Sequence, residues 1–169
     1  TTDQPVPAAV KTTSGMIFAG SSDREDVDIY QDGEKTTIRV EDPTDTMIAV
    51  PVSGGEDSVY RINRRTTIIQ NINVANKSAG AVLRVGLGVG TITPGAQGMA
   101  LATDTIGKQF GVYLTHDVIR LHQTTPTTGA PWAIAWDDNR QQVWVATTDD
   151  NKIRRYQLGS GQGEELEAY

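Results

Sequence analysis

From Met16 onward, short apolar runs alternate with polar turns, and no stretch keeps helical spacing with a cap at each end. Met16-Ile17-Phe18-Ala19 is broken by the turn-rich Ser21-Ser22-Asp23-Arg24-Glu25-Asp26. Val27-Asp28-Ile29-Tyr30 then alternates with the period of two that marks a half-buried strand. Asp32-Gly33 is a hairpin signal, and Thr36-Thr37-Ile38-Arg39-Val40 follows it. The cycle restarts with residues 47–52, turns at Gly54-Gly55, and continues through Val59-Tyr60-Arg61-Ile62 and Thr66-Thr67-Ile68-Ile69. Gly, Thr and Val are frequent where a helix would want Ala, Leu, Glu or Lys. The pattern predicts an all-β chain.

The second half repeats itself. Met99-Ala100-Leu101-Ala102-Thr103-Asp104 matches Trp132-Ala133-Ile134-Ala135-Trp136-Asp137 at an offset of 33, Val112-Tyr113-Leu114 matches Val143-Trp144-Val145 at 31, and residues 119–123 match residues 153–157 at 34. Two earlier copies share the form with weaker identity. Tyr30, Ile62, His122 and Tyr156 close equivalent strands, and the long gap in the middle holds the Gly-rich segment 79–90, either an enlarged hairpin or the remnant of an extra unit. Three or four short strands at this period are the signature of a propeller blade. The expected fold is therefore a β-propeller-like array of about four blade units, as a partial propeller or a small closed one, with a β-sandwich as the alternative. Residues 1–14 read as an extended polar leader, 15–158 as the β-repeat domain, and 159–169 as a flexible acidic tail.

Pro131, Val143, Ala146, Asp149, Asn151 and Ile153 occupy the slots that give residues 130–154 their character. On these residues the segment resembles the NHL and YVTN families of β-propeller repeat, clearest over 98–158. The resemblance implies blades, whereas a ring of six or seven needs around 250 residues at roughly 40 per blade. An incomplete ring leaves strands open to pairing, so a protein partner or self-association is expected to complete or cover them.

Composition narrows the functional classes. The chain has 169 residues, a length suited to one domain, and its 17 Gly and 7 Pro suit a turn-rich fold. A net charge of −6 without a basic stripe argues against nucleic acid. Arg61, Arg64 and Arg65 form the densest basic cluster and read as a solvated hairpin end. With no cysteine there is no disulfide, thiolate metal site or Cys nucleophile. No apolar run approaches the roughly 18 residues of a membrane span. No signal peptide is read in the polar opening, and the Thr/Pro-rich leader suggests an extracytoplasmic or secreted setting.

Candidate chemistry is sparse. His116 and His122, with Asp117 beside them, lack a third ligand, and His122 is explained by its phase with Tyr156. Asp23, Asp26 and Asp28 fail the spacing of a calcium loop, and Asp149-Asp150-Asn151 reads as turn chemistry. Gly86-Leu87-Gly88-Val89-Gly90 lacks the Lys and Ser/Thr of a phosphate loop. Among Trp132, Trp136 and Trp144, the alignment with Met99 places Trp132 in the core, and Trp136 is the expected ligand-binding residue. No catalytic residue, metal site or cofactor is expected. The reading is a non-enzymatic binding or scaffold module that recognises a protein or cell-envelope ligand. The alternatives are a segment of a propeller enzyme, of lyase or sugar dehydrogenase type, and a structural assembly subunit.

Overall fold

The computed structural model describes residues 6–159 and 161–169. Its strands form four antiparallel sheets, each a meander of four. The first sheet holds β1 (Ala8–Lys11), β2 (Ile17–Gly20), β3 (Asp26–Gln31) and β4 (Glu34–Arg39). The second holds β5 (Thr46–Val50), β6 (Ser58–Asn63), β7 (Ile68–Asn73) and β8 (Ser78–Arg84). The third holds β9 (Val89–Pro94), β10 (Ala100–Asp104), β11 (Gln109–Thr115) and β12 (Ile119–Pro126). The fourth holds β13 (Pro131–Asp137), β14 (Gln142–Thr147), β15 (Lys152–Gln157) and β16 (Glu164–Ala168). The Gly-rich segment is neither a hairpin nor an extra unit: it is β8, a crossover, and the start of β9.

One turn is used again and again. In residues 63–67, 104–108 and 137–141 an Asn or Asp opens the turn and accepts the backbone N–H three residues on, with Asn63 Oδ1 to Thr66 at 2.9 Å, Asp104 Oδ1 to Gly107 at 2.9 Å and Asp137 Oδ1 to Arg140 at 3.1 Å. The fifth residue takes the left-handed conformation, at Thr67 (φ 56°), Lys108 (φ 52°) and Gln141 (φ 55°). Residues 73–77 repeat both features at Asn73 and Lys77. Asn151 closes the 147–151 turn in the same way (φ 55°). The side-chain oxygen imitates a backbone turn, and the left-handed residue returns the chain into its hairpin.

The sheets stack through three apolar layers. Phe18, Val27 and Ile29 meet Met47, Val59 and Ile72 between the first and second sheets. Tyr60, Ile62 and Ile69 meet Ile92, Ala102 and Tyr113 between the second and third. Leu101, Phe110 and Val112 meet Ile134, Val143, Val145 and Tyr156 between the third and fourth, with Phe110 edge-on to Tyr156 at 5.3 Å. Alternation makes this work: on β10, Ala100 and Ala102 face one neighbour while Leu101 faces the other.

The innermost strands β1, β5, β9 and β13 lie side by side in that order. Four sheets with three layers among the described residues make an open arc of a propeller. The small closed ring and the sandwich are both excluded. β10 is buried along its whole length, whereas β14 alternates buried and half-buried residues. The outer face of the fourth sheet is therefore uncovered, and it carries Ala133, Ala135, Trp144 and Ile153.

Two expectations at the ends are corrected. Residues 8–11 of the expected leader are β1, which pairs with β2 from Ala8↔Gly20 to Lys11↔Ile17. Residues 1–5 of that leader lie outside the described residues. The expected acidic tail contains β16, which pairs with β15 through Arg154↔Ala168 and Arg155↔Glu167. Its acids are held by cations on β15: Arg155 Nη2 lies 3.0 Å from Glu167 Oε2 and Arg154 Nε 3.5 Å from Glu165 Oε1.

Candidate functional site

In each sheet, the loops from second to third strand open on one face of the arc, together with the crossovers between sheets. Loops from first to second strand and from third to fourth open on the other. The inner strands start at the first face, where one side chain stands apart. Arg64 follows β6 in the turn opened by Asn63. Its backbone N–H donates to Asp45 Oδ2 (2.6 Å), its Nε donates to the Gly90 carbonyl at the start of β9 (2.7 Å), and its Nη2 donates to Thr46 Oγ1 on β5 (3.1 Å). A half-buried guanidinium thus bridges two inner strands at the axial mouth. In the third sheet the same slot is Thr105, whose hydroxyl donates to Pro131 O (2.7 Å), and in the fourth it is Thr148. Among the described residues Arg64 forms no ion pair and its Nη1 has no hydrogen-bond partner.

The surroundings hold it rigidly. A Cβ on Gly90 would lie 2.6 Å from Thr103 Oγ1 and 2.8 Å from Thr105 Oγ1, so only glycine lets β9 come this close. Asp104 is buried and accepts four hydrogen bonds. Its Oδ1 accepts Leu87 N–H (3.1 Å), Gly88 N–H (2.9 Å) and Gly107 N–H, and its Oδ2 accepts Gln109 Nε2 (3.1 Å). It anchors the crossover into β9.

Arg61 lies behind Arg64 and is fully buried between the first and second sheets. Its Nε donates to Thr44 Oγ1 (2.8 Å), Nη1 to Gln70 Oε1, and Nη2 to the Asp42 and Pro43 carbonyls, the latter at 2.9 Å. All four acceptors are neutral. Burial pushes its pKa down to about 10, against the pull of Asp42, Asp45 and Glu41. It fastens the crossover of residues 40–45, which carries Asp45 and leads into Thr46. The basic cluster is thus not a solvated hairpin end. Only Arg65 fits that reading, in an exposed pair with Asp42 at 3.1 Å.

Trp136 sits on the opposite face. It lines a cleft of about 510 Å³ with Thr13, Val52, Ser53 and Gln97, so all four sheets contribute. Its indole N–H donates to Asp138 Oδ1 (3.2 Å). Trp132 is not in the core: it is 46% exposed. The register shift between Pro131 and Ala133 turns it out of the phase that the alignment with Met99 implies. Its carbonyl accepts the Thr91 (2.8 Å) and Thr103 (3.1 Å) hydroxyls. His116 is exposed in the turn after β11, and His122 is exposed on β12. Among the described residues, no three His, Asp or Glu side chains converge as a metal site would require.

Neither a family model nor a curated protein matches this sequence. Solved structures do. The chain is similar to a periplasmic gluconolactonase from Pseudomonas aeruginosa, with 15% identity over 96% of this chain and 53% of that one and a TM-score of 0.74. It is similar to virginiamycin B lyase from Staphylococcus aureus, with 17% identity over 98% and 56% and a TM-score of 0.69. A candidate 6-phosphogluconolactonase from Bacteroides uniformis gives 12% identity over 99% and 58% and a TM-score of 0.72. The chain therefore has the β-propeller fold and spans little more than half the length of these proteins.

The neighbours also correct the expectation of a non-enzymatic binding or scaffold module, and with it the expectation that the chain is no enzyme. The three described above are named as lactonases and a lyase. The physical reason for the miss is plain. The repeat reports how blades pack, while any chemistry rests on the residues that loops bring to the axis.

Proposed function

We propose that this chain is a four-blade segment of a propeller enzyme that opens a cyclic ester, with Arg64 as the group that binds and polarises the ester carbonyl. This takes up the enzyme alternative of the sequence reading. The observation that carries it is the bridging guanidinium of Arg64, held by a carbonyl and a hydroxyl, with Nη1 uncommitted at the axial mouth. The lactonase names among the structural neighbours support the substrate class.

In this reading water adds to the ester carbon and the carbonyl oxygen gains charge. Arg64 Nη1 donates to that oxygen as the charge develops. The tetrahedral species then collapses with cleavage of the ring C–O bond, and the leaving alkoxide takes a proton. A donor fixed beforehand by Gly90 and Thr46 needs no reorganisation when the charge appears, which is where such groups gain their effect. Being planar and permanently charged, Arg suits an oxyanion better than the Thr of the sister units.

The ring must be completed. Four blades spanning 56% of a neighbour correspond to rings of about seven, so about three further blades would cover the open face of the fourth sheet and supply the rest of the mouth, including the group that activates water. Assignment of the 98–158 repeats to the NHL or YVTN type belongs to this proposal and rests on Pro131, Val143, Asp149 and Ile153.

The test is hydrolysis of glucono-δ-lactone by the assembled protein, followed by base uptake at constant pH. Arg64→Met is expected to lower kcat by about 100-fold, the loss typical of one oxyanion donor, and Arg64→Lys to recover part of it. No rate above the uncatalysed reaction, or full activity in Arg64→Met, would overturn the proposal.

A further inference from the structure

In three of the sheets the residue just before the inner strand receives an N–H from the turn between second and third strands. In the third sheet the Gly88 carbonyl accepts Thr105 N–H at 2.8 Å, and in the fourth the Ala130 carbonyl accepts Thr148 N–H at 3.0 Å. In the second sheet the residue before β5 is Asp45, and its side chain takes over: Oδ2 accepts Arg64 N–H at 2.6 Å. A backbone carbonyl is enough to close this turn in the sister sheets, so the carboxylate is more than the fold requires. The second sheet thus departs from its sisters twice at the axial mouth. It puts a cation in the slot they fill with Thr, and an anion where they have Gly and Ala.

The two groups do not cancel. Asp45 and Arg64 form no ion pair among the described residues, and the guanidinium donates to neutral acceptors, the Gly90 carbonyl and Thr46 Oγ1. Asp45 is half-buried, with an Oδ1 that is open to solvent and accepts no hydrogen bond among the described residues. Its backbone is fixed, since its N–H donates to Ile62 O at 2.9 Å and Arg61 fastens the crossover that carries it. Thr46, which holds Arg64 Nη2, is the next residue. The mouth therefore offers a group that can only donate, Arg64 Nη1, and a group that can only accept, Asp45 Oδ1. An ester carbonyl with a hydroxyl on the adjacent carbon presents the complementary pair.

We infer that Asp45 selects a 2-hydroxy lactone, its Oδ1 accepting the substrate's 2-hydroxyl while Arg64 Nη1 donates to the carbonyl, an assignment that rests on the lactone-opening role of Arg64. Asp45 determines specificity and takes no part in bond breaking. A fixed polar group that reads a hydroxyl discriminates well, because the analogue without the hydroxyl leaves that group unpaired.

The test compares glucono-δ-lactone with its 2-deoxy analogue, which lacks only that hydroxyl, on the assembled protein. Each rate is taken relative to uncatalysed hydrolysis of the same lactone. The native protein is expected to favour the 2-hydroxy substrate in kcat/KM by about 30-fold, the worth of a hydrogen bond to a charged group. Asp45→Asn keeps an oxygen for Arg64 N–H and puts an amide donor in place of the other oxygen, so it is expected to abolish the preference. Should Asp45→Asn fail to fold, the preference of the native protein still decides. Hydrolysis of both lactones at equal kcat/KM, or a preference unchanged in Asp45→Asn, would overturn this role and leave that of Arg64 standing. Hydrolysis of neither lactone would overturn both.

Discussion

Replacing Arg61 with Met probes how the crossover from first to second sheet is held. Met keeps an unbranched apolar stem in the site and removes the guanidinium. Two of its four acceptors keep another donor: Glu41 N–H reaches Gln70 Oε1 at 3.3 Å, and Asn63 Nδ2 reaches Pro43 O at 2.9 Å. The Asp42 carbonyl and the Thr44 hydroxyl lose the only hydrogen bond they accept among the described residues. Each buried acceptor left unpaired costs about 1–3 kcal/mol, and relief of the buried charge offsets part of the total. A net loss of about 3 kcal/mol follows, or a fall in Tm of about 6–12 °C for a chain of this size. Arg61→Lys recovers little, since one ammonium cannot span four acceptors. The assay is urea and thermal unfolding, with hydrogen exchange at Thr44, whose N–H donates to Ser21 O at 2.6 Å and ties the crossover to the first sheet. A change below about 0.5 kcal/mol, with Thr44 protection intact, would refute the argument, because that is the range of an ordinary surface substitution.

Gly90→Ala is expected to cost about 2 kcal/mol, since its methyl meets Thr103 and Thr105, both already bonded to β13 carbonyls; a denaturant midpoint measures it. Lys77→Gly is expected to stabilise by about 0.5 kcal/mol, because φ is 47° at this position and relief of the left-handed backbone exceeds the entropy glycine adds to the unfolded chain; an unchanged or lower urea midpoint contradicts this. Acid lowers stability. Hydrogen bonds from Arg154 and Thr147, with the charges of Arg154 and Lys152, hold Asp150 well below its ordinary value against opposing burial. Burial alone would raise Asp28, but hydrogen bonds from Thr37 and Lys35 and the charges of Lys35 and Arg24 outweigh it and bring it down. Both folded values lie below the unfolded 3.8, so their contribution is complete above that pH and lost as pH falls through the folded values. Asp150→Asn should flatten the acid limb of a stability–pH profile, and an unaltered limb counts against the assignment.

The interior strands were legible because each carries its own alternation, and the turns because Asp and Asn open them. β1 and β16 were not. Ala8-Ala9-Val10-Lys11 is too short to show a period within a Pro/Thr-rich stretch, and Glu164–Ala168 is a strand only because Arg154, Arg155 and Tyr156 receive its acids, with Tyr156 Oη donating to Glu165 Oε2 at 3.0 Å. Arg61 gave no signal, since its acceptors are backbone carbonyls and side chains from distant segments. Arg64 did give one: aligned with Thr105 and Thr148, it is a cation in a slot the sister units fill with Thr. Trp132 was misread because a bulge cannot be seen in a pairwise match of repeats. Trp136, expected to bind a ligand, stands near the end of β13 and lines the cleft on the face away from Arg64.

The central claim is that these four blades are an arc whose open face other blades must cover. Light scattering on a sizing column tests it most directly, by giving the native mass of the purified 18.2 kDa chain. The account predicts a species larger than one chain, formed as the exposed face of Ala133, Ala135, Trp144 and Ile153 is buried. A monodisperse 18.2 kDa monomer that persists on concentration would show that four blades suffice by themselves, and would contradict it.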